Sequence, residues 1–553
     1  MKNKKIKKIF ISSVLVISVF GLFAFEQPGG RYFEIAKNLD IFATLFKEVN
    51  TYYVDEINPS QLMETGIDAM LESLDPYTNY IPEDEIEDFR TMTTGQYGGI
   101  GAVIGRRDGK SVILMPYENF PADKAGLRIG DVLMEIDGID VSDKSTAEIS
   151  KLLKGQFNTK VTMKVKRLGV EKPVEAVLTR EKIKIDAVPY YGMVNANTGY
   201  MKLTEFTSGA SKEVKKALLE LKEKGAKSVI FDLRGNPGGL LSEAINISNL
   251  FIPKQSVVVS TKGKVEEWNK TYLTLNAPID TKIPVAVLMS GRSASAAEIV
   301  AGVLQDYDRG LIVGTRSYGK GLVQATRPLS YNSQLKVTTA KYYTPSGRCI
   351  QEIDYSHRNA DGSVVKFPDS LRQVFQTKNG RKVYDGNGIT PDIKVEQSTL
   401  APITISLLQK GMIFNYATKF ASENKTITDA KNFSLSDAQY NQFVTWLSGK
   451  DYDYTTKVEA SLDELTANSR KEQSYEEIAT QISALEKELS HNKEKDLVTF
   501  KSEIKEQLEA EIASRYFLER GSIEASFSHD KDILAALKVL NNKEEYQSIL
   551  GKK

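Results

Sequence analysis

Gly291–Gln324 reads GRSASAAEIVAGVLQDYDRGLIVGTRSYGKGLVQ. Small residues lead into an apolar run at helical spacing, so a helix is expected from Ser295 to Gln305. Leu311-Ile312-Val313 reads as a buried strand, and beyond it Lys320 lies between Gly319 and Gly321, with Gln324 four residues further on. A helix, a short buried strand and a glycine-flanked loop in succession are the grammar of an α/β core.

The same stretch carries a chemistry. Serine attacks a carbonyl only when a base takes its proton. Histidine is nearly absent, with three in the chain, and only His357 precedes residue 400. Lys320 is the base that remains. An unperturbed lysine, with a pKa near ~10.4, is only about 0.1% neutral at pH 7.4. Lowering it to about 7–8 costs on the order of 4 kcal/mol, which burial must supply. Gly319 and Gly321 let the backbone turn Lys320 inward, and Gln324 can orient the amine without adding charge. A serine at a helix start also aims the first-turn N–H groups at an oxyanion; Ala296 supplies the first donor. The turn Arg234-Gly235-Asn236-Pro237-Gly238-Gly239 offers the second, through Gly238 and Gly239, because glycine lets backbone approach a substrate closely.

Other readings of these letters are weaker. Gly314–Lys320 begins like a phosphate-binding loop, but Gly321 stands where a magnesium-binding Ser or Thr is required. Ser317-Tyr318-Gly319-Lys320 matches S-x-x-K, which needs both residues on one helical turn, and two glycines oppose that. Either half alone reads as an ordinary helix start and a tight turn; their combination favours the site.

Working outward, residues 183–400 alternate strands with helices, as a largely parallel sheet requires. Lys227–Leu233 and Ile283–Met289 read as strands, Ser211–Glu223 and Leu240–Phe251 as helices, and Leu335–Tyr343 as a β-arm. Residues 95–182 hold β-branched runs between glycine turns, with one helix at Ser145–Leu153. The order YGGIGAVI, PADKAGLRIGDVLMEIDGIDV, helix and closing strand resembles a PDZ domain. The carboxylate-binding turn of that family maps onto Gly99-Ile100-Gly101-Ala102.

Taken together, the Ser295–Lys320 spacing, the Asp232–Gly239 turn, the inserted PDZ-like domain and the N-terminal segment resemble the bacterial carboxyl-terminal processing proteases. The likeness covers residues 32–397. It implies an α+β multidomain chain: a crotonase/ClpP-like mixed α/β core with an inserted PDZ domain, a helical N-terminal arm and a helical C-terminal domain. It further implies a Ser295–Lys320 dyad assisted by Gln324, oxyanion donors at Ala296 and the Gly238–Gly239 pair, and protein substrates held by their C-terminal tails. One departure is Lys154, in Leu-Leu-Lys-Gly, where relatives carry arginine thought to couple the PDZ domain to the site. A second function class is a non-catalytic PDZ scaffold of the cell envelope.

The termini set the remaining expectations. Lys2, Lys4, Lys5, Lys7 and Lys8 precede the uncharged run Ile9–Phe25, which reads as an export signal. Ala24 has Leu22 two positions before it, which makes a poor small-x-small cleavage site, so residues 1–30 read as a signal or membrane anchor, with the uncleaved anchor favoured and the rest in the envelope, in the periplasm or at the outer face of the inner membrane. Residues 31–94 read as a packed helical cap or oligomerisation arm. Residues 401–553 read as a helical packing or dimerisation domain, with Asn424–Lys431 as a linker and the core between them at 183–400. With 73 basic and 72 acidic residues, no nucleic-acid partner is indicated. The one cysteine, Cys349, builds neither a disulfide nor a zinc site, so no metal and no cofactor is expected.

Overall fold

The computed structural model describes residues 28–359, 361–397, 399–489 and 493–551, which excludes the lysine-led export segment. The chain divides into two compact units, up to Tyr80 and from Ile81 onward.

The first unit holds helices Pro28–Tyr52 and Pro59–Glu72. Asn58 caps the second by accepting from the N–H groups of Ser60 and Gln61, with Pro59 at the first helical position. Asp75 closes the break after it by accepting from the N–H groups of Tyr77 and Thr78. These helices have the expected spacing, and the apolar side chains of the first are exposed: Ile41 and Leu45 are 52% and 57% exposed, and Tyr32, Phe33 and Leu39 are more so.

The second unit begins with helix Ile86–Thr94, ended by Gly95 at φ 67°. An antiparallel sheet follows, in the order Ala102–Arg107, Lys110–Pro116, Val132–Ile136, Lys160–Lys166, Val174–Thr179. Asp108-Gly109 turns the first hairpin with both φ angles positive, which these residue types permit. Helix Thr146–Leu153 is closed by a capping box between Ser145 and Glu148 and buries Ile149 against Ile113, Ile136 and Met163. Strand Gln96–Gly99 pairs with Glu181–Lys184, so the chain enters and leaves this PDZ domain side by side, the geometry of an insertion.

The α/β core is built on a sheet ordered Tyr190–Met193, Thr198–Lys202, Ser228–Asp232, Val285–Met289, Leu311–Gly314, Ile393–Lys394. The first pair is antiparallel and the rest are parallel. Ser228–Asp232 and Val285–Met289 are buried throughout, which is why they read as unbroken apolar runs. Helices Ala210–Glu223, Leu241–Ser248 and Ala296–Asp306 cover one face. The other face is covered from the far end of the chain, by Ile523, Phe527, Ile533 and Ala536. The C-terminal region is therefore a layer of the α/β core as well as a helical domain.

That domain centres on helices Pro402–Gln409, Met412–Glu423, Asp437–Leu447 and Lys501–Ser526. The last of these is broken at Leu518, which adopts φ 53° and ψ −145°. The expected linker at Asn424–Lys431 is instead packed: Ala430 is buried and Lys431 Nζ donates to the carbonyl of Met193 at 2.5 Å. Its polar residues mark a turn between two packed helices.

Candidate active site

Three loops leave the carboxyl ends of adjacent parallel strands, where open α/β sheets gather their ligands. The turn after Ser228–Asp232 carries the glycines, the turn after Val285–Met289 carries Ser295, and the loop after Leu311–Gly314 carries Lys320. The structure thus brings the sequence-derived residues to one place.

Ser295 stands at the start of helix Ala296–Asp306 with φ 54° and ψ −115°, a conformation that a residue with a side chain adopts only under constraint. The constraint is visible. Its N–H donates to Glu298 Oε2 at 2.7 Å, its carbonyl accepts from Ile299 N–H at 3.0 Å, and the buried Tyr342 hydroxyl donates to that carbonyl at 3.2 Å. Ser293, the other serine of the turn, is fully buried and its hydroxyl donates to the carbonyl of Leu233 at 2.8 Å. It ties two loops together and is not available as a nucleophile.

Glu298 is the residue that sequence reading passes over. Its carboxylate is fully buried and accepts from four donors: Ser295 N–H, Ser317 Oγ at 2.5 Å, Gly319 N–H at 2.7 Å and Lys320 N–H at 2.9 Å. Oε2 alone receives the N–H groups of both Ser295 and Lys320, so their nitrogens lie no further apart than two hydrogen-bond lengths. Burial pushes the Glu298 pKa up to about 7, against the pull of those donors. The available signal was Ser295-x-x-Glu298, the spacing of a capping box, which here serves two loops at once.

The glycines around the lysine are needed for close approach. A Cβ on Gly319, which has φ 85°, would meet Glu352 Cβ at 2.7 Å, and one on Gly321 would meet Gln351 N at 2.8 Å. Gln324 is placed differently from expectation: it lies on strand Leu322–Pro328, at a register shift, rather than in the loop. There its Nε2 donates to Thr338 Oγ1 at 3.1 Å.

Gly238, at φ 103°, abuts Ser295: a Cβ there would lie 2.8 Å from Ser295 Cβ and 2.9 Å from Ala296 N. Its own N–H, however, donates to Asn236 Oδ1 at 2.8 Å within the turn. Gly239 makes a parallel bridge with Phe206. At the base of the turn, Arg234 grips Asp232, whose carboxyl is held below its usual range because Arg234 outweighs the effect of burial.

In the PDZ domain, Gly99 ends a strand, Ile100 is buried, Gly101 has φ 72° and Ala102 opens the next strand. Lys154 Nζ pairs with Asp88 of helix Ile86–Thr94 at 2.8 Å and lies over the Tyr97 ring. A cavity of about 820 Å³ is lined by both this domain and the helical one, Arg128 and Gly130 on one side and Thr418 and Tyr516 on the other, and beside it the two domains touch, Asn415 Nδ2 donating to Asp108 Oδ2 at 2.7 Å. Among the described residues no cluster of His, Cys, Asp and Glu is placed to hold a metal, and no helix is long and apolar enough to cross a membrane.

A strained serine at a helix start, beside a lysine loop and a glycine turn, defines a serine-type peptidase core carrying a PDZ domain. The chain belongs to peptidase family S41, the carboxy-terminal-processing proteases. The profile "Peptidase family S41" matches residues 197–357, "PDZ domain" matches 112–167, and "Probable PDZ-protease, C-terminal helical domain" matches 403–540. The chain is 35% identical over 349 residues to a carboxy-terminal-processing protease of Bartonella bacilliformis, covering 62% of this chain and 79% of that one. It is 32% identical over 357 residues to a "Probable CtpA-like serine protease" of Staphylococcus aureus, covering 63% and 71% respectively. Among solved structures, the photosystem II D1 C-terminal processing protease is 27% identical, with a TM-score of 0.34 over 64% of this chain and 92% of that one.

Proposed function

We propose that Ser295 and Lys320 form the nucleophile–base dyad of a peptidase that cleaves proteins near their C-termini. The observation that carries this reading is the shared Glu298 oxygen, which fixes a strained serine and the lysine loop relative to each other. Neutral Lys320 takes the Ser295 hydroxyl proton as Oγ attacks the scissile carbonyl. The tetrahedral oxyanion is met by Ala296 N–H and, from the glycine turn, by Gly239 N–H, the Gly238 N–H being engaged by Asn236. Collapse expels the amine, which receives the proton back from Lys320, and water then hydrolyses the acyl-enzyme by the same relay. Gln324 positions the lysine amine from the neighbouring strand.

The relatives' printed names, together with a PDZ domain, support tail recognition. In this reading the turn Gly99-Ile100-Gly101-Ala102 holds the terminal carboxylate, and the tail adds as a strand beside Ala102–Arg107. The domain plan is a signal or anchor (1–30), a helical arm (31–94), the PDZ domain (95–182), the core (183–400) and the C-terminal helical domain (401–553). The basic-then-apolar N-terminus supports export, with the chain anchored at the outer face of the inner membrane. The outward apolar stripe of Pro28–Tyr52 supports homo-oligomerisation through the arm.

The test is incubation of an unfolded protein with wild type, Ser295→Ala and Lys320→Ala, with products read by mass spectrometry. Both variants are expected to be folded and inactive. Turnover by either ends the dyad assignment, and a wild type that binds tails but cuts nothing across pH 6–9 favours the scaffold.

A further inference from the structure

The C-terminal region reaches the active-site end of the central sheet through two of the three carboxylates that converge on one arginine. Arg234 opens the turn that leads to Gly238. Asp232 takes its Nε and Nη2 side, at 3.0 and 2.6 Å. Its Nη1 is held from the far end of the chain: Asp530 accepts at 2.8 Å and Asp532 at 2.9 Å.

These acids are seated by contacts of their own. Asp530 caps helix Lys531–Asn541, its Oδ1 accepting from the N–H groups of Asp532 and Ile533. Asp532 is buried and accepts from Gln397 Nε2 at 3.1 Å. The helix itself is packed on the sheet through Ile533 and Ala536. The arginine's outer edge is therefore fixed by an element anchored independently of the turn.

From Arg234 the constraint passes directly to the catalytic wall. Gly235 N–H donates to Ser290 Oγ at 3.1 Å, Asn236 Nδ2 to the carbonyl of Leu203 at 2.8 Å, and Ala294 N–H to the carbonyl of Asn236 at 2.9 Å. Gly238 then stands against Ser295 with no room for a methyl group. A small displacement at Arg234 is felt where the oxyanion forms, and a misplacement of about 1 Å in such a site costs on the order of 10²-fold in rate.

The geometry points to Asp530 and Asp532 as positioning residues for the oxyanion turn, acting through Arg234. The C-terminal helical domain thereby supplies part of the catalytic geometry without touching the substrate. This rests on Ser295 as the nucleophile; that reading fails separately, by turnover in Ser295→Ala with both aspartates intact.

The experiment compares the full chain with Asp530→Asn, Asp532→Asn and the double variant on a fluorescently labelled unfolded protein. Asparagine caps a helix about as well as aspartate, so Asp530→Asn removes the charge and keeps the cap. In the double variant kcat is expected to fall at least about tenfold with KM within about twofold, because only transition-state contacts are disturbed. Labelling of Ser295 by a fluorophosphonate should slow in parallel, while the thermal midpoint and the affinity of a labelled C-terminal peptide stay near wild type. Unchanged kcat in a folded double variant overturns the proposal, as does a loss that merely tracks the unfolded fraction. If the double variant does not fold, Asp530→Asn decides by the same kcat-against-KM split, and wild-type kcat there overturns it.

Discussion

Ser295 and Lys320 donate their backbone N–H groups to the same atom, Oε2 of Glu298, at 2.7 and 2.9 Å. The Ser295 turn and the Lys320 loop come from opposite sides of strand Leu311–Gly314 in the sequence, yet a single carboxylate sets their separation. Neither can shift without breaking a charge-assisted hydrogen bond in a buried site.

Replacing Glu298 by Gln tests that linkage. An amide keeps one acceptor but turns an NH2 group toward donors, leaving at least one buried N–H without a partner. We expect kcat to fall by about 100-fold or more and stability by ~2 kcal/mol, read by steady-state kinetics and denaturant unfolding.

The pH dependence follows from the same group. With its pKa pushed up by burial to about 7, Glu298 loses its full acceptor capacity as pH falls through neutrality, so kcat/KM should drop on the acid side. Stability runs the other way. A carboxyl harder to ionise in the folded than in the unfolded chain contributes most below its ordinary value of 4.5, and that contribution is lost as pH rises through about 7. The gap in unfolding free energy between wild type and Glu298→Gln should therefore be wider at pH 5 than at pH 8; a gap that widens toward pH 8 contradicts the assignment.

Gly238→Ala and Gly235→Ala form a matched pair. Both glycines have positive φ, but a methyl at Gly238 collides with Ser295 and Ala296 whereas one at Gly235 meets nothing within 4 Å. The first should abolish turnover in a folded protein. The second should cost about 1 kcal/mol of backbone strain and retain most activity.

Lys320→Arg separates a base from a mere cation. Arginine keeps its proton at every accessible pH, so the variant should be inactive from pH 6 to 9. Recovery of cleavage at high pH would remove Lys320 from the base role.

Much of this was legible in the chain. Ser295, the glycine-flanked Lys320 and the Gly238–Gly239 turn announce themselves because backbone demands, a helix start and close approaches, are written in residue type. Glu298 was not, because a glutamate in a first helical turn has an ordinary explanation and its second duty arises only when the Lys320 loop folds onto it. Arg234 was visible in the turn, but its partners lie 296 and 298 residues away, beyond any local periodicity. Gln324 follows the glycine-flanked lysine closely enough to read as part of its loop, and the β-arm pairing with Thr338 draws it into a strand. In the N-terminal arm, helical spacing gave the helices correctly and could not say which way their apolar side faces.

Tyr546 ties the far end of the chain back to the central sheet. Its hydroxyl accepts from the N–H of Val285 at 3.0 Å and donates to the carbonyl of the same residue at 3.1 Å, a span of 261 residues. Val285 begins the strand that ends one short turn before Ser295. The sheet that carries the Ser295 turn, the Lys320 loop and the glycine turn is therefore closed on its second face by residues far from them in the chain, Phe527, Ile533 and Tyr546 among them, so the last helices are part of the site's own foundation.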